Sequence, residues 1–277
     1  MFNKAFLTEA ARRSGETAVD RRKLLTMTGI AGAGVAAAVI AGGAEGANAA
    51  TGGVSDGSVL NFALNLEYLE AEFYSRAVHG HGLAYDLTTG KGHRGNVHGG
   101  RKVHFKSSKI RKYAEEIAND ELEHVKFLRA ALGSAAVAQP TINIDAAFKA
   151  AAKAAGLGND FDPYASETNF LLGAFVFEDV GVTAYKGAAP LISNKTYLSA
   201  AAGILAVEAY HAATIRTSLY ERGVEAIHAA NAISAARDSL DGPAQEDQGI
   251  GGASRSNIVP TDRNGIAFSR TPGQVLN

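Results

Sequence analysis

Two triplets in the chain, Glu121-x-x-His124 and Glu208-x-x-His211, can each offer a carboxylate and an imidazole from one side of a helix. Residues three apart in a helix are neighbours about 5–6 Å apart. The second triplet lies in the apolar run A-V-E-A-Y-H-A-A-T-I-R. A carboxylate or imidazole in such a setting is costly unless it is paired or binds a metal. Two more glutamates fit the same pattern. Glu67 stands seven residues before Tyr74 in L-E-Y-L-E-A-E-F-Y, and Glu178 seven before Tyr185 in F-E-D-V-G-V-T-A-Y. The chain order is therefore E…Y, ExxH, E…Y, ExxH. Two metal ions a few Å apart need bridging and terminal carboxylates with one imidazole each. A helix bundle supplies them as a Glu from two helices and a Glu-x-x-His from the other two. Glu178 is the most telling residue, because a lone carboxylate in so apolar a helix would raise its pKa or destabilise the fold.

Matching offsets support an internal repeat. Ile117, Arg129 and Leu132 around the first triplet recur as Ile204, Arg216 and Leu219 around the second. Within the first helix Glu67, Glu70 and Glu72 compete. Glu67 and Glu70 share a face and Glu72 points away; the spacing to a tyrosine favours Glu67. Tyr74 and Tyr185 are either hydrogen-bonding or radical-buffering groups beside the metals, or simply packed core. Asp120 can accept the outer N–H of His211 and so orient it; the equivalent position in the repeat, Val207, cannot. Glu115, Glu116 and Glu123 read as a solvated face. A third triplet, Glu225-x-x-His228, lies roughly 25 Å along from Glu208 at 1.5 Å per residue, too far to share a site.

These residues require four long helices, and the sequence has the signals for them. A first helix runs from about Ser58 to Val78, with Ser58 or Asp56 as N-cap. Residues 79–106 hold five of the eight histidines among glycines and basic residues, and read as a flexible surface loop rather than a metal-entry site. A second helix runs from Ser107 or Ser108 to Leu132, stopped by Gly133. The crossover 134–162 contains Pro140 and a short Ala-rich helix closed by Gly156. Asp162-Pro163 reads as N-cap and first residue of a third helix ending near Lys186. A fourth follows from Lys195 to Arg222, then an additional helix over 223–240 and an irregular tail over 241–277. Long 2→3 and short 3→4 connections make an all-α bundle with one long crossover.

Composition agrees with one helical domain plus extensions: 277 residues, 46% hydrophobic, 20% charged, formal net charge −1. No basic patch is interleaved with aromatics, so no nucleic-acid partner is expected. With no cysteine, any metal must use His and carboxylate. Residues 1–49 resemble a twin-arginine export signal: D-R-R-K-L-L-T at 20–26, an uncharged Gly/Ala-rich stretch to Ala44, and A-N-A at 47–49. The reading is cleavage after Ala49, with a retained anchor as the alternative, then a linker at 50–57. A periplasmic or extracellular location follows.

The interleaved helices resemble the ferritin-like superfamily of bacterioferritins, rubrerythrins and manganese catalases. L-N-L-E-Y-L-E-A-E-F-Y, N-F-L-L-G-A-F-V-F-E-D-V-G-V-T-A-Y-K-G-A-A-P-L and A-A-G-I-L-A-V-E-A-Y-H-A are similar to the exported desiccation-related proteins within it. The likeness covers about 58–222 and extends through N-I-V-P-T-D-R-N-G-I-A-F-S-R-T-P-G-Q-V-L-N to the C-terminus. It implies a ferritin-like four-helix bundle with Glu67, Glu121, His124, Glu178, Glu208 and His211 as metal ligands. Glu121 and Glu178 would bridge; Glu67 and Glu208 would be terminal or labile, and Glu208 could instead serve as a base. Two metal ions are expected, Fe first, with Mn or mixed Fe/Mn as alternatives. The implied activity is redox chemistry on oxygen or peroxide. A non-enzymatic stress or envelope protein is the alternative, and an iron-storage cage ranks below both. Envelope association and a homo-oligomer stay open.

Overall fold

The computed structural model describes residues 54–240 and 246–276; the candidate export signal at 1–49 lies outside them. In chain order the helices are α1 (Asp56–His79), α2 (Ser108–Leu132), α3 (Ile144–Ala154), α4 (Glu167–Ala188), α5 (Lys195–Tyr220), α6 (Val224–Asp238) and α7 (Pro272–Val275). The bundle is α1 against α2 and α4 against α5, the two pairs meeting along α1–α4 and α2–α5. α1 is buried along nearly its whole length. α2 and α5 bury only the stripe that carries the two triplets.

Each bundle helix begins where a short polar side chain captures a free N–H of the first turn. Ser107 Oγ accepts from Ile110, Ser166 Oγ from Asn169, and Asn194 Oδ1 from Thr196 and Tyr197. Two starts differ from the sequence reading. α1 is capped by Ser55, whose Oγ accepts the Ser58 N–H at 3.1 Å. Asp56 is instead spent on the N–H groups of Ser193 and Asn194, at 2.7 and 2.8 Å, which ties α1 to the start of α5. Asp162-Pro163 is not a helix start either. Asp162 Oδ1 accepts the Tyr164 N–H in a local turn, and α4 begins one turn later at Ser166.

The long connections are pinned, not loose. β1 (Val97–His98) pairs in parallel with β2 (Ile142–Asn143), joining the 79–106 loop to the crossover. The aromatic rings of Phe73, Phe148, Tyr164, Phe170 and Phe177 gather α1, α3 and α4 into one cluster, with Phe73 stacked on Phe170 at 5.6 Å.

The tail is largely without regular structure, as expected, yet it is part of the core. β3 (Gly251–Gly252) and β4 (Arg255–Ser256) form a small antiparallel pair, and Ile250, Arg270, Val275 and Leu276 are buried. Side chains that bond to backbone hold it, which no periodicity announces. Arg216 donates to Asp179 at 2.7 Å and to the carbonyls of Gln248, Gly249 and Asn257. Arg237 joins Asp179 to Asp247, which also holds Arg270. The repeat extends to this network. Arg129, the counterpart of Arg216, donates to Tyr68, the counterpart of Asp179, and to the carbonyls of Thr89 and Asp86.

The two arginines therefore differ in what their loss leaves behind. Arg216→Met leaves a buried carboxylate short of a partner and is expected to cost about 3–5 kcal/mol. Arg129→Met frees only neutral acceptors and is expected to cost about 1–2 kcal/mol. Urea unfolding of the two variants checks the order.

Candidate metal centre

The two triplets and the two lone glutamates meet in the middle of the bundle. Position 121 lies at the centre of α2 and 208 at the centre of α5, and both face α1 and α4. Two sets of potential ligand atoms result, each within 4.8 Å of one another: Glu67, Glu121, His124 and Glu208; and Glu121, Glu178 and His211. Glu121 belongs to both. His124 Nδ1 lies 3.2 Å from Glu67, 3.3 Å from Glu121 and 3.8 Å from Glu208. His211 Nδ1 lies 3.1 Å from Glu121 and 3.4 Å from Glu178. All six predicted residues are thus brought together. Glu178 falls in the His211 set alone, and Glu121 is the carboxylate that stands in both sets. The two sets are anchored on different α2 and α5 imidazoles, and Glu178 reaches only the nearer one.

The tyrosines act crosswise. Tyr74 on α1 donates to Glu178 Oε1 on α4, and Tyr185 on α4 donates to Glu67 Oε1 on α1. Each fixes one oxygen of a glutamate and leaves the other turned inward. Asp120 Oδ2 lies 3.0 Å from His211 Nε2, on the outer side of the ring, which leaves Nδ1 for the interior. Glu70, set aside in favour of Glu67, is buried in the same region, one turn along α1. Glu72 is buried too but faces elsewhere, bonded to Arg76 and the Leu83 N–H.

The electrostatics are those of a site short of positive charge. Burial raises the acid of Glu67 to about 7, reinforced by Glu121. Burial and then neighbouring glutamates push Glu70 and Glu208 well above the carboxylate range. Burial also raises Glu178. Burial alone would lower both imidazoles; Glu67 and Glu121 lift His124 to about 10, and Glu178 and Glu121 lift His211 to about 12. Burial opposes ionisation of Glu121 too, but the two imidazoles beside it bring it down to about 2.

Unpaired atoms test whether metals fit. Glu67 Oε2, Glu121 Oε1, Glu178 Oε2, both oxygens of Glu208 and His211 Nδ1 are buried without a hydrogen bond. Buried polar atoms are nearly always satisfied in folded proteins. Here the orphans converge, and carboxylate with imidazole is the donor set that Fe and Mn accept. The residues fit a pair of such ions. The histidines of the 79–106 loop do not join in: His79, His81, His93, His98 and His104 are all exposed, as are Glu225 and His228.

A bundle with this centre belongs to a known class, and comparison with known proteins agrees. Residues 55–221 match the ferritin-like domain family, and the chain belongs to it. A desiccation-related protein, PCC13-62, of Craterostigma plantagineum is 33% identical, over 80% of this chain and 76% of the relative. A ferritin-like catalase, Nec2, of Nesocodon mauritianus is 26% identical, over 82% of this chain and 79% of the relative. No solved structure matches.

The raised acids and imidazoles give a pH dependence for the metal-free protein. The unfolded chain releases these carboxyl protons near pH 4.5 and the imidazole protons near 6.5, whereas the folded cluster keeps them to higher pH. The native state then binds more protons, and its stability falls as pH rises. In chelator, the urea midpoint is expected to drop steadily from about pH 5 to pH 9, and Glu208→Gln is expected to flatten the slope.

Proposed function

We propose that this is an exported oxidoreductase that uses two Fe or Mn ions to react with peroxide or oxygen in stress protection. The observation that carries the reading is the convergence of unpaired carboxylate and imidazole atoms on two sets that share Glu121. The catalase named among its relatives supports peroxide as the first substrate to try. The export-type N-terminal sequence supports a location outside the cytoplasm.

In this reading Glu67 with His124, and Glu178 with His211, would each hold one ion, and Glu121 would lie between them. Bound there, the ions supply the electron transfer to peroxide or oxygen. The protein's own groups hold that site in place. Tyr74 and Tyr185 fix the inward oxygens of Glu178 and Glu67 by holding the outward ones. Asp120 holds the tautomer of His211 that leaves Nδ1 free. The cluster itself is shut off from bulk water, its glutamates being almost wholly buried. Glu208 has no hydrogen-bond partner and is free to take a proton or to ligate.

The relative called desiccation-related favours a second reading, in which the metal only stabilises the bundle. The two are separated by metal content and turnover in one preparation. About two equivalents of Fe or Mn are expected, lost in Glu121→Ala, with disproportionation of peroxide or oxidation of Fe(II). Metal without turnover would favour the stabilising role, and a folded protein without metal would sink both. Asp120→Asn is expected to weaken metal binding about 10–100-fold with the fold intact, measured by competition with a chelator.

A further inference from the structure

The two halves of the centre are related by a shift of 111 residues between α1 and α4, which superimposes Glu67 on Glu178 and Tyr74 on Tyr185. The same shift sets Glu70 against Gly181. A carboxylate and an empty position thus occupy equivalent places in an otherwise matched pair of helices.

Gly181 is not demanded by the backbone. It lies inside α4 and is not among the glycines with positive φ. A glycine there weakens a helix relative to alanine, so a different constraint must keep it. That constraint is Glu208. A Cβ on residue 181 would lie 2.1 Å from Glu208 Oε2, 2.9 Å from its Cδ and 3.6 Å from its Cγ, and these are its three nearest neighbours. Glu208 is also the one carboxylate of the two ligand sets with both oxygens unpaired. No hydrogen bond holds it. Its Oε1 stands 3.8 Å from His124 Nδ1, farther than Glu67 or Glu121. The notch at Gly181 is what receives its other oxygen.

We propose that Gly181 is a positioning residue that lets Glu208 rest set back against α4, so that the His124 side of the centre keeps room for a small anionic ligand such as peroxide. The inference rests on the metal-binding reading above. A methyl group at 181 meets first the end of a flexible side chain. It therefore shifts the Glu208 carboxylate towards His124 and fills that room without disturbing the helix.

The test uses the full protein loaded with Mn(II) or Fe(II), with azide as the probe, in wild type, Gly181→Ala, Glu208→Ala and the double variant. Gly181→Ala is expected to bind as much metal as wild type, to resist a chelator at least as well, and to bind azide about tenfold more weakly. The double variant is expected to bind azide as Glu208→Ala does, because the effect of the methyl group runs through that carboxylate. Should Gly181→Ala fold poorly, recovery of folding in the double variant supports the same contact. Unchanged azide binding in metal-loaded Gly181→Ala overturns the proposal. So does an equal loss when Glu208 is already absent. A wild type that takes up no metal is a different failure, that of the metal-binding reading itself.

Discussion

Five carboxylates and two imidazoles are enclosed in the middle of this bundle, and even with both imidazoles protonated the negative charges outnumber the positive by three. No lysine or arginine contacts the cluster among the described residues. Charge buried in this way is tolerated only if protons or cations are taken up with it. The surrounding structure is arranged around that demand. Polar side chains near the cluster, Tyr74, Tyr185 and Asp120, each bond to an outward atom of a cluster residue. The inward atoms of that cluster could hold a cation.

A second layer of charge keeps the four helices in register. Arg216 and Arg237 converge on Asp179, the neighbour of Glu178, and Arg129 reaches Tyr68, the neighbour of Glu67. The bond on the α1–α2 side also holds the histidine-bearing loop, and the one on the α4–α5 side holds the tail. Each helix pair is thus clamped one residue away from its cluster glutamate, and each clamp also fastens a segment with no regular structure. Packing of Phe175 under both Arg216 and Arg237 adds cation–π contact to the second clamp.

The bundle was legible because its signals are local: apolar stripes, serine and asparagine caps, and glycine stops. The six converging residues were legible because helical spacing places i and i+3 on one face and the repeat orders the faces. What the sequence hid depends on contacts between segments distant in the chain. Asp56 looked like a cap but serves the turn before α5, and Asp162 looked like a cap but closes a turn, since a short acidic side chain suits both uses. The crosswise tyrosine bonds were invisible because the seven-residue spacing suggests a partner within the same helix. The role of Glu121 as the shared carboxylate depends on which imidazole each glutamate reaches. Gly181 left a trace: aligning the repeat sets it against Glu70.

The clamp on Asp179 draws its partners from three places in the chain: α5, α6 and the segment carrying Asp247 and Arg270. The last of these is synthesised after all four bundle helices. A growing chain that has already made α1 to α5 therefore has the residues of the cluster but not the closure around the helix that carries Glu178. The network around Asp179 closes only when the segment with Asp247 and Arg270 has folded back. In a growing chain, then, the helix that carries Glu178 is the one whose charged surroundings are closed last.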